Sequence, residues 1–201
     1  MRKIVVFMNL TLDGVMQAPG RPDEDRRGGF EHGGWALTYA DAVMGKVAGE
    51  SMAGTGGILL GRRTYEDFYS VWPNRTDNPF TEVLNNTPKF VASRTLKEPL
   101  PWMNSTLLKG DAAEAVAGLK EQPGKDIVVL GSGDLLQSLM PCNLIDDYVL
   151  QIHPLILGSG RRLFADGDSR VALRLVDTTT TSTGVMIATY QPATTSTRSA
   201  A

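Results

Sequence analysis

Ile127-Val128-Val129-Leu130 is a run of four apolar residues that stops at Gly131-Ser132-Gly133, after which a helical period begins at Asp134. A strand that is apolar on both faces must be covered on both faces, which commits the chain to a sheet with helices above and below it. The rest of the sequence keeps to that plan. Strand-like runs at 3–9, 57–60, 89–92, 105–108, 127–130 and 147–154 are interleaved with helical patterns at 38–49, 63–71, 80–85, 111–121 and 134–144. Two last strands, 173–180 and 185–192, follow with no helix between them and turn through Ser182, Thr183 and Gly184. Alternation requires crossovers, and an uninterrupted pair requires a hairpin. The expectation is an α/β fold whose sheet is mixed and mostly parallel, flanked by helices, with antiparallel C-terminal strands.

At 201 residues the chain can bury an independent core, and we read 1–192 as one domain and 193–201, rich in Thr, Ser and Ala, as a disordered tail. The net charge of -2 leaves no Lys/Arg excess for neutralising a nucleic-acid backbone. No run approaches the ~18 apolar residues of a membrane span, and the apolar run after Arg2 and Lys3 is too short for an export signal. Cys142 stands alone, beside Pro141, and reads as a small core residue in a protein of the reducing cytoplasm. His32 and His153 are far apart and have no ligand-spaced partners, so no metal site is expected. His153-Pro154 reads as shaping the end of a strand, and Asp166 and Asp168, flanking Gly167, as a turn. No Gly-x-Ser-x-Gly elbow offers a hydrolase nucleophile.

Two strand-to-helix junctions look built for an anion. After Gly57-Ile58-Leu59-Leu60, Gly61 allows a close turn, Arg62 and Arg63 bring charge, Thr64 brings a hydroxyl, and the following helix start offers unpaired N–H groups. The second junction is Gly131-Ser132-Gly133-Asp134. Parallel sheets place ligands at the carboxyl ends of their strands, so the two junctions could clasp opposite sides of a dinucleotide. Neither is a Gly-x-Gly-x-x-Gly fingerprint or a Walker loop.

Together with Val91-Ala92-Ser93-Arg94, these segments resemble the three cofactor segments of the dihydrofolate reductase fold. Leu12-Asp13-Gly14, Ile145-Asp146-Asp147 and the stretch from His153-Pro154-Leu155-Ile156-Leu157-Gly158-Ser159-Gly160 to Leu163-Phe164 resemble, more closely, the reductase domain of bacterial riboflavin-biosynthesis deaminase/reductases and its stand-alone relatives. The resemblance runs from about Arg2 to Gln191 and implies NADPH as cofactor. It implies Arg62, Ser93 and Arg94 around the adenosine ribose phosphate, Thr64, Gly131, Ser132 and Gly133 around the pyrophosphate, and Gly61, Arg63 and Asp134 as further cofactor-binding residues. It also implies a homodimer joined through the carboxyl-terminal strands and part of 154–164.

For the substrate, the resemblance implies a pocket formed by Asn9, Gly14, Trp35 and Tyr39, with Asp13 the best placed carboxylate for a chemical role. Asp41 falls outside the family spacing and reads as a solvated helix residue. The irregular stretch 16–37 reads as a lid or pocket wall, in which Phe30 and Trp35 either stack on a flat ring or anchor the loop. The activity implied is hydride transfer to a small planar heterocycle of pterin or pyrimidine type. Alternatives are the 5-amino-6-(5-phosphoribosylamino)uracil reductase of riboflavin biosynthesis, a dihydrofolate reductase, a non-catalytic NADPH-binding protein, and a protein that binds a flavin rather than NADPH. The riboflavin reductases usually carry an acidic residue immediately before the glycine pair, where this chain has Leu130.

Overall fold

A computed structural model describes residues 1–164 and 170–193. Eight strands form one sheet: β1 (Ile4–Thr11), β2 (Gly57–Gly61), β3 (Lys89–Ala92), β4 (Ser105–Leu108), β5 (Ile127–Leu130), β6 (Asp147–His153), β7 (Leu173–Thr180) and β8 (Met186–Pro192). Five helices accompany them: α1 (Ala42–Gly54), α2 (Arg62–Val71), α3 (Phe80–Asn86), α4 (Ala112–Glu121) and α5 (Gly133–Leu139). The strand order is β4-β3-β2-β5-β1-β6-β8-β7. The first six of these are parallel, and β8 and β7 close the sheet antiparallel, as the alternation predicted.

Together the strands feed two cores, one on each face of the sheet. Ile4, Val6, Met8, Leu59, Ile127 and Val129 pack on one face with Val116 and Leu119 of α4 and Leu135, Leu136 and Leu139 of α5. Ile58, Leu60 and Val91 pack on the other with Met52 of α1, Tyr65 of α2, Leu84 of α3 and Trp102. The buried run Ile127–Leu130 lies where its composition requires, between β1 and β2.

Four local expectations change. The helix predicted at 38–49 starts later, because Asp41 is its cap: extended at φ -145, it accepts the Met44 N–H at 2.9 Å. The same carboxylate accepts the N–H and hydroxyl of Ser182 at 2.8 and 2.7 Å, so Asp41 ties α1 to the β7–β8 turn rather than facing solvent idly. The helix predicted at 134–144 stops at Leu139 and tightens into a 3-10 turn at Met140–Cys142, since Pro141 has no N–H to continue it. That turn leaves Cys142 exposed, not in the core.

The segment between β1 and α1 hangs from a third, small core of Val15, Ala18, Phe30 and Trp35. Gly160 seals it: its φ of +114 suits glycine, and a Cβ there would stand 2.7 Å from the Phe30 ring and 2.8 Å from Val15. No helix among the described residues is long and apolar enough to cross a membrane. The expected turn at Asp166 and Asp168 and the tail after Ala193 lie outside the described residues.

Candidate active site

β1 leads to β2 by skipping one place in the sheet, and β5 later fills the gap. A crevice opens at such a switch point, above the carboxyl ends of the strands. Here it is a cleft of about 1280 Å³ touched by all six parallel strands, through Leu108, Ala92, Gly61, Leu130, Asn9 and Gln151. A single small ligand fills roughly 300–1,000 Å³, so the cleft has room for a nucleotide and a second molecule.

The two junctions singled out in the sequence do not face each other; they stand side by side and are bonded together. Ser132 donates its N–H to Thr64 Oγ1 at 3.0 Å, accepts the Gly61 N–H on its own hydroxyl at 2.9 Å, and donates that hydroxyl to the Leu130 carbonyl at 2.9 Å. Gly131 and Ser132 both hold positive φ, +53 and +59. A Cβ on Gly131 would lie 3.1 Å from the Thr64 methyl, so the backbone approaches Thr64 closely. Ser132 is thus spent on structure. Thr64 only accepts in this set and keeps its O–H to donate, at the start of a ten-residue helix that has no side-chain cap.

The arginines divide. Arg62 pairs with Glu66 one turn on, at 3.1 Å, along the cleft wall. Ser93 closes the turn after β3 by accepting the N–H groups of Thr95 and Leu96 at 3.1 and 3.0 Å, and the next residue, Arg94, lines the cleft without an ion pair among the described residues. Arg63 turns instead to Asp134, at 2.8 Å, where Arg161 and, at 3.8 Å, Arg27 also converge. Asp134 therefore gathers arginines; as an anion it repels a phosphate rather than binding one.

On the substrate side only Asn9 of the expected group lines the cleft; Asp13, Gly14, Trp35 and Tyr39 do not. Asp13 accepts the Thr11 hydroxyl at 2.6 Å, the N–H groups of Leu157 and Gly158 at 3.2 and 2.9 Å, and Arg162 at 3.4 Å. The Thr11 hydrogen bond, followed by those from the Leu157 and Gly158 N–H groups, pulls its pKa down to about 2. It is an ionised anchor between the 12–14 turn and the segment after β6, and it cannot serve as a proton donor near neutrality. Gly14 takes φ +79 in that turn. Phe30 and Trp35 anchor the loop: both are buried, and the Trp35 indole donates to the Gln17 carbonyl at 2.7 Å.

Sequence reasoning missed Gln151, Glu24 and the Arg21–Asp67 pair, all in the cleft wall. Glu24 accepts N–H bonds from Gly20 and Arg21 at 2.7 and 3.1 Å, yet burial, with the Asp67 charge adding, raises its pKa. No motif marks it; only the acidic run 23–25 inside a lid-like segment hinted at a carboxyl there. His153 is fully buried and bonded through Nε2 to Asn9 Oδ1 at 2.9 Å, with burial lowering its pKa to about 4. Trp35 and Tyr39 stand edge-on to its ring, with centroids 5.1 and 5.3 Å away.

Comparison with known proteins follows this geometry. The model of the RibD C-terminal domain matches residues 2–187. The uncharacterized protein YyaP of Bacillus subtilis (strain 168) is 31% identical over 197 residues, covering 94% of each chain. A protein from Shewanella sp. PV-4, proposed to serve riboflavin biosynthesis, has a crystal structure similar at a TM-score of 0.72 and 25% identity, over 96% of this chain and 99% of that one. Dihydrofolate reductase from Enterococcus faecalis, complexed with NADP(H) and RAB-propyl, shares the fold at a TM-score of 0.59 and 13% identity, over 94% and 96% of the two chains.

Proposed function

From the premise that this chain belongs to the RibD C-terminal domain family, we propose that it is an NADPH-dependent reductase acting on a small planar heterocycle. The observation that carries this reading is the bonded pair of junctions at the switch point, with Thr64, Gly131 and Ser132 at its centre and Arg62 and Arg94 in the same cleft. These residues fit the nucleotide. An uncapped helix start and the Thr64 hydroxyl offer donors to a pyrophosphate, the close-packed glycine leaves the backbone accessible, and two guanidinium groups suit a 2′-phosphate. Bound there, NADPH supplies a hydride.

The protein's own groups do the rest. The strap from Met16 to Arg27 walls the cleft, tied to α2 by Arg21–Asp67 and to α5 by Arg27–Asp134, and so keeps water from the reacting atoms. Met44, Gly45 and Ala48 of α1 give an apolar wall for a flat ring. Glu24, with its raised pKa, is the cleft carboxyl suited to hold a proton for the reduced heteroatom.

Fluorescence titration of the purified chain with NADPH and NADH in parallel tests the reading, with Arg62→Ala as control. NADPH binding weakened by the substitution, followed by NADPH oxidation with a pterin, pyrimidine or flavin, is the expected result. Absence of binding by either nucleotide defeats it; binding with no oxidation by any heterocycle leaves a nucleotide-binding module instead.

A further inference from the structure

The walls of the cleft are held unequally. The strap is bound to α2 through Arg21–Asp67 and to α5 through Arg27–Asp134, while α2 itself buries Tyr65 and packs Phe68 and Trp72 against the second core. The wall made by Leu37, Ala40, Met44, Gly45 and Ala48 has no such support. It is anchored at its two ends, by Trp35 in the third core and by Met52 in the second, and Met52 is the one buried residue among the 13 of α1. Among the described residues no other α1 side chain packs against a core. The helix is also weak in itself. Gly45 and Gly49 are poor helix formers placed in its middle, and nothing stands within 4 Å of where a Cβ on either would lie, so packing does not require them.

Between its anchors this wall is fastened from outside the cleft. Asp41, which caps α1, accepts the N–H and hydroxyl of Ser182, and the Tyr39 carbonyl accepts the Thr183 hydroxyl at 2.6 Å. The Tyr39 ring rests edge-on to His153. The turn that supplies both hydroxyls is firmly tied: Thr181 is buried, donates its N–H to the Val185 carbonyl at 2.9 Å and accepts the Val185 N–H on its hydroxyl at 3.0 Å. Neither Ser182 nor Thr183 lines the cleft. We propose that residues 37–48 form a gate on the cleft, held shut by Ser182 and Thr183 of the β7–β8 turn and swinging about the Met52 end of α1. Opening it exchanges a few hydrogen bonds near the surface for bonds to water and uncovers no core residue, so it is a local event that leaves the sheet and the strap in place. The gate belongs to the fold and to no particular ligand.

The test is hydrogen exchange of the purified, nucleotide-free chain, read by mass spectrometry on peptides covering 36–48, β1 and β5. Ser182→Ala/Thr183→Val, which removes both hydroxyls at positions outside the cleft, is expected to speed exchange in 36–48 about tenfold and to leave β1 and β5 unchanged. Ser182→Asp, which sets a second carboxylate against Asp41, is expected to act in the same direction and to lose part of its effect in about 1 M salt. Gly49→Ala, which strengthens the helix, is expected to slow exchange in 36–48 about fivefold. Access to the cleft is read separately by labelling Ala48→Cys/Cys142→Ser with fluorescein maleimide, Cys142 being the one native cysteine. Cutting the latch is expected to speed this labelling about tenfold. Unchanged exchange in 36–48 once the latch is cut, an acceleration shared equally by β1 and β5, faster exchange in Gly49→Ala, or labelling indifferent to the latch would each overturn the proposal. No arm contains a nucleotide, so failure here leaves the reductase reading standing, and failed nucleotide binding leaves the gate standing.

Discussion

The N–H of Ser132 donates to Thr64 Oγ1 at 3.0 Å, joining two strand-to-helix junctions that lie 68 residues apart in sequence. Thr64→Val keeps the shape of the side chain and removes both this acceptor and the outward O–H. We expect NADPH affinity to fall about tenfold or more and stability to fall by about 1–2 kcal/mol, read by fluorescence titration and by urea melts. Unchanged nucleotide affinity would take Thr64 out of the site.

Arg62 and Arg94 should set the choice of nucleotide. Each Arg→Ala substitution is expected to weaken NADPH binding at least tenfold and NADH binding little, because only NADPH carries the 2′-phosphate. Arg63→Ala, which breaks the pair with Asp134 instead, should affect the two nucleotides alike. Equal losses for both nucleotides at Arg62 and Arg94 would place the phosphate elsewhere.

Asp13 and Glu24 separate anchoring from proton supply. Asp13→Asn should leave kcat nearly intact while lowering the melting temperature. The Asp13 pKa is about 2 in the folded chain against an ordinary value of 3.8, so its contribution is complete above the unfolded value and is lost as pH falls toward 2. The wild-type advantage over Asp13→Asn should therefore be flat from neutral pH to about pH 4 and shrink as pH falls from there toward 2. Glu24→Gln should do the reverse: kcat drops about a hundredfold, within the usual range for a lost general acid, and the alkaline arm of the pH–rate profile, where the acid gives up its proton, is lost or moves, with stability little changed.

His153 makes the chain sensitive to mild acid. Its pKa is lowered from 6.5 to about 4 in the folded state, so between those values the unfolded chain binds the extra proton. Stability is flat above the upper value and declines as pH falls through the window, by up to about 3 kcal/mol. The groups packed on the ring are Asn9, Trp35 and Tyr39, none of them charged near neutrality, so the slope belongs to the imidazole. Denaturant melts across this range should show the slope in the wild-type chain and lose most of it in His153→Phe.

The sheet ends on β7, an edge strand with Leu175 and Val176 about half exposed and Val171 just before it similarly open. Unpaired strand edges with apolar side chains invite a partner. Light scattering at micromolar concentration is expected to give a dimer, and Val176→Lys to give a monomer. A monomeric mass for the wild-type chain would remove the expectation.

The parallel sheet was legible because Ile127–Leu130 is apolar on consecutive residues and the helical periods between strands are long. That the strand ends at Gly61 and Gly131 meet in the cleft was legible for a related reason: glycine, arginine and threonine at a strand end carry their chemistry in the local sequence. The rest of the cleft lining was not. Gln151 looks like any polar residue in an alternating strand, and only the register with β1 sets it beside Asn9. Asp13 misled because an Asp-Gly pair reads the same whether its carboxylate faces a ligand or, as here, the N–H groups of Leu157 and Gly158, contacts across 144 and 145 residues that no local pattern encodes. Helix ends moved wherever a cap or a proline overruled periodicity, as Asp41 and Pro141 did.

Gly160 has little space above its Cα because the Phe30 ring and Val15 occupy it. Its side chain and theirs are therefore one shared volume divided among three positions on two separate segments. As such sequences diverge, a larger residue at 160 becomes tolerable only after 15 or 30 has shrunk, and it must also accept a left-handed backbone. The three positions should accordingly drift together or not at all, so that the strap can change its exposed, cleft-facing residues freely while its point of suspension stays fixed.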